Sequence, residues 1–377
     1  MRDPRFTSVY RLAAVLAAVI FVTPVLAQSP PQRLPVLVPV TGFLALEGTS
    51  QRNGALLALK TAPGLAVAEV QDTATAPETA VNAFEKALSG GSVPAVIAPM
   101  LGTQMLALLP LAAERKLPMV TVSGTAQLTE MGNAYVFRFF PGDAVVKTAH
   151  ARYVAEELKA KRPAVIYQTT AYGQSGRQVL EAAFKKLGAP VVFEEGIAPT
   201  VKDYRPVLAK ALEARPDALV LHLHAGPTAL LIRQAATLPG MPRIVAGSAM
   251  HQPGTAALLE PVELQGVCAE TGSSPISGGS KEIEAWTTDY RREFKTEPDA
   301  FALAQYDGAM MVLAALKAGA RAPQAMRDYL AANSHRGLAM TYRSDGKGNM
   351  AHDALIVCYD GKGRVPHIVK RYSSPAS

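Results

Sequence analysis

Two histidines, His222 and His224, stand two residues apart at the end of the apolar run DALVLHLHAG (217–226). On a strand this spacing puts both on one face, with Leu221 and Leu223 on the other. Paired imidazoles suit a metal, a base with its helper, or the wall of a binding cleft. A metal site needs a third ligand with a suitable partner. His251 is the nearest other histidine, and no carboxylate or thiol accompanies it at ligand spacing. The expectation is therefore a hydrogen-bonded, sheet-interior histidine at 222. His224, nearer the carboxyl end of the strand, is expected to line a cleft. Small hydroxyl and glycine residues gather in three other stretches, MLGTQ (100–104), VSGTAQ (122–127) and AGSAM (246–250). At a helix amino terminus such loops offer N–H groups and short hydroxyls, which suit a carboxylate.

Other chemistry lacks its motif. No Gly-x-Gly-x-x-Gly follows the first strand, and no Gly-Lys-Ser/Thr loop is present, so nothing supports a nucleotide site. In YGQSGR, Ser175 falls inside the first turn of a helix with no strand before it, unlike a nucleophile elbow. RSDGKGNMAHD (343–353) fails as a calcium loop, with Lys347 and Ile356 at ligand positions, and reads as a solvated turn. A secreted hydrolase built on Ser123 or Ser248 would need a base oriented by a third group, and no spacing supplies one. No cofactor is expected.

The elements that position these residues alternate regularly. RLPVLVPV, LAVAEVQDT, VPAVIAPM and LPMVTVSG read as strands. Between them lie helical stretches, the first over 47–62 with Thr49 or Ser50 able to cap it, the second opening at Pro77. After AYVFRFFPGD the alternation restarts, with strands RPAVIYQTT, APVVFEEGI, PDALVLHLHAG and PRIVAGSA. Strand–helix alternation with short connections means parallel sheets of βαβ units, and two such arrays mean two doubly wound lobes. The tail from Gly337 reads as β-ribbon with turns at Asp345-Gly346 and Asp360-Gly361. Open α/β sheets bind ligands at the carboxyl ends of their strands, so two facing sheets make a cleft.

The chain of 377 residues is 49% hydrophobic and 18% charged, enough for two cores. Residues 1–27 differ: Arg2, Arg5 and Arg11, then an apolar run from Leu12 to Val22, then Val25-Leu26-Ala27 read as a cleaved secretory signal. The apolar run is short for a membrane span. Removing three arginines and one aspartate takes the net charge from +7 to +5. The basic residues are scattered and one tryptophan is present, so a nucleic-acid footprint is not expected. Cys268 and Cys358 sit in apolar strand-like runs. Export permits a disulfide, but the reading favoured is two buried small hydrophobes that never meet.

The stretches VTGFLALEGTSQRNGALLAL, AYGQSGRQVLEAAFKKLG, DYRPVLAKALEARPDALVL, LIRQA and YDGAM resemble solute-binding proteins of ABC transporters of the branched-chain amino-acid type, over nearly all of 33–370. The resemblance implies the type I periplasmic-binding fold, two Rossmann-like lobes joined by three hinge segments. Lobe 1 would take 33–141 plus 270–340, and lobe 2 142–269 plus 341–377. It further implies a non-enzymatic, monomeric periplasmic protein that traps a small carboxylate-bearing solute and delivers it to a permease and ATPase in the inner membrane. The alternative is a sensing module that presents the solute to a receptor. By the same resemblance, Gly102, Thr103, Ser123, Gly124 and Thr125 hold the ligand carboxylate, and Tyr172 packs on the ligand. His224 falls at an aromatic position, Glu47 where relatives have a tryptophan, and Ser248 or Ala249 where amino-acid binders carry an acid. Gln168 replaces a common aspartate. The missing acid and the added histidine point to a carboxylate without an α-amino group, such as an aromatic or keto acid, since a buried ammonium would lack compensation. Glu47 could substitute for the acid from the other lobe, or its loop could leave it exposed to solvent.

Overall fold

In the computed structural model Met1 and residues 30–373 are described. The proposed signal segment lies outside the described residues apart from Met1. The first sheet has the order β2-β1-β3-β4-β5 and is wholly parallel: β1 (Gln32–Val38), β2 (Ala66–Asp72), β3 (Val96–Ile97), β4 (Met119–Thr121) and β5 (Val136–Arg138). The continuous apolar run in β1 fits a strand covered on both faces. One face packs on α1 (Ala45–Lys60), and the other on α2 (Pro77–Ser89) and α3 (Gly102–Arg115). A short α4 (Gln127–Glu130) follows β4. The α1 helix begins at Ala45, capped by no side chain, so Thr49 and Ser50 lie within it and are not its caps.

The chain then enters a second sheet, through α5 (Asp143–Arg152), β6 (Pro163–Gln168), α6 (Ala171–Lys186), β7 (Phe193–Ile197), α7 (Arg205–Glu213), β8 (Ala218–His222), α8 (Ala225–Ala235), β9 (Arg243–Ala246), α9 (Pro253–Ala256) and β10 (Cys268–Thr271). It returns to the first sheet as α10 (Lys281–Phe294), α11 (Ala300–Lys317) and α12 (Pro323–Ala332), with a small ribbon of β11 (His335–Arg336) and β12 (Thr341–Tyr342). Ala309, Val312 and Leu313 of α11 join Ala55, Ala58 and Leu59 of α1 in one core. Finally β13 (Ala354–Cys358) and β14 (His367–Tyr372) add an antiparallel edge, giving the order β14-β13-β10-β9-β8-β6-β7. The chain thus passes between the two sheets three times. The β-ribbon expected of the tail is β13–β14, while Asp345-Gly346 turns in the loop before β13.

One expectation fails outright. Cys268 of β10 and Cys358 of β13 are directly opposed in register, and they form a disulfide. They are 90 residues apart in sequence, so only strand pairing reveals their proximity.

Candidate functional site

Each sheet reverses its strand order once, and ligands bind at such switch points, outside the strand carboxyl ends. In the first sheet the reversal lies between β1 and β3, where α1 and α3 begin. In the second it lies between β6 and β8, where α6 and α8 begin. These four helix starts supply Glu47, Met100, Tyr172 and His224, and all four line one cavity. It holds about 440 Å³ not filled by protein atoms, part of it open to solvent.

The first-sheet side is apolar. Leu44, Met100, Val122, Phe140 and Phe301 form a buried cluster whose side chains face the cavity. Gly124 interrupts it, and Ser248 and Ala249 approach from the second sheet. Six of the ten residues singled out above therefore meet here: Glu47, Gly124, Tyr172, His224, Ser248 and Ala249. Gly102, Thr103, Ser123 and Thr125 do not line the cavity and stand behind Met100, Val122 and Gly124. Thr125 Oγ1 sits against Gly102, where a Cβ would be 2.1 Å from it. The hydroxyls of Ser123 and Thr125 are buried without a hydrogen-bond partner.

Their loop is oriented by a residue that the sequence reading missed. Arg138, buried at the end of β5, donates to the carbonyls of Thr125 (2.6 Å), Gly124 (3.3 Å) and Ser123 (3.4 Å). Burial lowers its pKa to about 10, so it remains charged at neutral pH.

His222 and His224 part company. The strand ends at His222, and His224 is the N-cap of α8, not a strand residue. His222 shares a face with Val220, toward α6, and its Nε2–H donates to the carbonyl of Tyr172 (2.9 Å). That approach needs Gly176, where a Cβ would be 2.1 Å from His222 Nε2. His224 lies between Phe43 (centroids 5.4 Å) and Tyr172 (5.2 Å, planes 30° apart). Its backbone N–H donates to Gln168 Oε1 (3.0 Å), which gives Gln168 a positioning role. Burial lowers the His224 pKa to about 4, so the ring is neutral near pH 7. His251 joins neither histidine. It donates from Nδ1 to the Ser248 carbonyl and accepts the Ala300 N–H at Nε2 (3.0 Å). No cluster suited to a metal occurs among the described residues.

The missing acid is present elsewhere. Asp143, the first residue of α5, lines the cavity fully buried, and its backbone N–H donates to the Gly124 carbonyl (2.7 Å). The Ser175 hydroxyl lies close enough to steady the carboxylate, although neither oxygen has a hydrogen bond of ordinary geometry. Desolvation raises its pKa to about 7, against the pull of Lys147. Glu47 is also buried, at 2% exposure, and lines the cavity, so of the two alternatives its loop does not leave it exposed to solvent. Its Oε1 accepts the Ala225 N–H across the cleft (2.9 Å), its Oε2 has no partner, and desolvation raises its pKa to about 7. The argument against a buried ammonium thus loses its premise.

A profile of periplasmic binding proteins matches residues 31–364. The chain belongs to the periplasmic binding protein family. As a member it is a solute-binding protein and not an enzyme. It is 26% identical to a Leu/Ile/Val-binding protein of Rhizobium johnstonii over 57% of this chain and 60% of that one. It is 26% identical to an amino acid binding protein of Pseudomonas aeruginosa over 64% and 65%. These matches thus span less than two thirds of either relative's length. Two solved structures share the fold. A leucine-binding protein of Thermotoga maritima aligns with a TM-score of 0.83 over 92% of this chain and 99% of its own, at 22% identity. A solute-binding protein of R. palustris in complex with benzoate aligns with a TM-score of 0.83 over 92% and 98%, at 18% identity. No helix among the described residues of this periplasmic binding protein is long and apolar enough to cross a membrane.

Proposed function

We propose that this protein is the extracytoplasmic solute-binding component of an ABC importer. It would be exported by a cleaved signal at 1–27, act in the periplasm as a monomer, and deliver its solute to a permease and ATPase. Its lobes would follow the boundaries given above and close on the solute by hinge motion. The solute class best supported is an amino acid with an apolar side chain. The observation that carries this is the polarity of the cavity. The cavity combines an apolar wall with two buried carboxyls, Asp143 and Glu47, and an ammonium group would compensate the charge of either. Of the loops expected to hold the carboxylate, Gly124 reaches the cavity and would meet it, while Gly102, Thr103, Ser123 and Thr125 stand behind and would support that contact. The names of the Rhizobium and Pseudomonas relatives agree with this class.

A second reading, an aromatic or keto acid, is favoured by one observation. His224 and Tyr172 offer near-parallel rings to a planar solute. It requires Asp143 and Glu47 to bind as neutral acids. The sensing alternative shares either solute. Calorimetry of the mature chain with leucine, 4-methyl-2-oxopentanoate and benzoate separates the readings. Tight leucine binding is expected, and binding of the acids with no response to leucine would refute the amino-acid class.

A further inference from the structure

Behind Ser248 the fold buries an ion pair. Lys147 of α5 and Glu270 of β10 are both 0% exposed, and Lys147 Nζ is bonded to Glu270 Oε1. Ser248 supplies two more donors to the same carboxylate. Its backbone N–H reaches Oε1 (2.9 Å) and its Oγ–H reaches Oε2 (2.6 Å). Burial pushes the Glu270 pKa up, but Lys147, His150 and the Ser248 hydroxyl outweigh it and hold the carboxyl below its usual range. Glu270 is therefore an acceptor saturated by fixed donors.

The consequence falls on Ser248. A hydroxyl has one proton and two lone pairs. The Ser248 proton is committed to Glu270, so only lone pairs remain for the cavity that Ser248 lines. The Tyr172 hydroxyl, packed beside Ser248, can donate to one of them, which leaves the other. A solute N–H finds an acceptor there. A carboxylate or keto oxygen finds oxygen lone pairs facing its own. Lys147 makes the arrangement sustainable, because an unpaired buried Glu270 would otherwise lose its charge. Lys147 also lies one helical turn from Asp143 and 5.8 Å from the Tyr172 ring centroid. One buried cation thus serves Glu270 directly while lying close to a second acceptor on the cavity wall.

We propose that Glu270 is a specificity-determining positioning residue. By fixing the Ser248 hydroxyl as an acceptor, it selects solutes that carry an N–H donor over their des-amino counterparts. The inference rests on the solute-binding reading and deepens it. It places the recognition at Ser248, where an amino-acid binder's acid would stand, and makes Glu270 act through that hydroxyl without touching the solute.

The test is the ratio of affinities for leucine and 4-methylpentanoate, which differ in the amino group, measured by calorimetry on the mature chain. In Glu270→Gln the carboxamide N–H can donate to Ser248 Oγ and release the Ser248 proton toward the cavity. The preference for leucine is expected to shrink about tenfold, roughly the worth of one charge-assisted hydrogen bond, through weaker leucine binding with 4-methylpentanoate unchanged or tighter. Because Glu270→Gln leaves Lys147 unpaired, Lys147→Met/Glu270→Gln is measured alongside and should narrow the ratio alike. Ser248→Ala should narrow it too, and adding Glu270→Gln to Ser248→Ala should change it no further. A merely structural role would weaken both ligands by the same factor. Equal weakening, or an unchanged ratio in variants that fold, overturns the inference and leaves the solute-binding reading intact. A wild-type protein that binds 4-methylpentanoate better than leucine, or neither, overturns the inference and the amino-acid class together.

Discussion

Asp143→Asn should make the unliganded protein more stable at neutral pH, by an amount that depends on pH. The Asp143 carboxyl is buried, without a hydrogen bond of ordinary geometry, and titrates near 7 instead of 3.8. A folded-state pKa raised above the unfolded value means that the native protein binds the proton more tightly. The stabilisation is present in full below the unfolded pKa, and it is lost as pH rises through about 7. The shift from 3.8 to about 7 is roughly three units, and at 1.36 kcal/mol per unit it amounts to about 4 kcal/mol at most. Relaxation of the charged neighbours, Lys147 foremost, reduces this to about 2–4 kcal/mol, or several degrees of melting temperature in a protein of this size. Asparagine is isosteric with the neutral acid and carries no charge to desolvate. Melting curves of both proteins from pH 3.5 to 8 should nearly coincide at the acid end, separate steadily between about pH 4 and 7 with the variant higher, and keep a constant gap above that. Saturating leucine should shrink or reverse the gap at pH 7.5, because its ammonium compensates the charge only in the wild type. A gap independent of pH, or a variant less stable than wild type at pH 7.5, would refute the assignment of Asp143 as an uncompensated buried acid.

Thr125→Val should weaken leucine binding about tenfold while leaving the free protein as stable or more so, because it deletes a buried hydroxyl that has no protein partner. Calorimetry and a melting curve read the two effects, and unchanged affinity would remove the carboxylate role of that loop. Replacing Cys268 and Cys358 together by serine should cost about 2–5 kcal/mol, seen in chemical denaturation, because it releases a link closing a loop of some 90 residues. Gly176→Ala would set a methyl 2.1 Å from His222 Nε2. Displacing that ring breaks its bond to the Tyr172 carbonyl, so both stability and ligand affinity should fall, whereas Gly226→Ala, with open space around it, should leave affinity alone.

What the sequence made legible was local. Apolar runs broken by Gly, Pro and small hydroxyl residues marked the strands and the loops at their carboxyl ends. From those loops His224, Ser248 and Gly124 could be placed toward a cleft, and the family resemblance added Tyr172. What escaped was set by register and by chain crossings. Cys268 and Cys358 meet only because β10 and β13 pair with those two residues opposed. Lys147 and Glu270 are 123 residues apart, and each reads as an ordinary solvated charge until α5 packs over the second sheet. Asp143 resembles any acidic residue in a first helical turn, where it would favour the helix and face water. Its role depends on the crossing from β5 carrying it under Gly124. Glu47 was noticed, but only the structure decides between its two positions, because α1 starts earlier than its hydroxyl residues suggest and so brings Glu47 inside.

Arg138 gathers these pieces into one argument about charge. It closes β5, the last strand before the first crossing, and bridges to Asn349 on the third. Its guanidinium donates to Asn349, to Thr129 Oγ1 (2.7 Å) and to the three carbonyls of residues 123–125. Burying a cation is costly unless its donors are met; carbonyl and amide oxygens meet them here, and Asp143, Asp345 and Glu130 offset the charge through space. Two things follow for the proposed ligand loop. Its carbonyls are held toward Arg138 and away from the cavity. The positive charge of Arg138 stands directly behind the loop, with Asp143 the foremost of the acids that face it. Asp143 lies against Gly124 itself, and with Glu47 and the Ser248 lone pair it makes the polar part of the cavity wall an acceptor surface. An ammonium group with an apolar tail meets both that surface and the apolar cluster of Leu44, Val122 and Phe301, whereas a simple carboxylic acid meets the acids with a charge of their own sign.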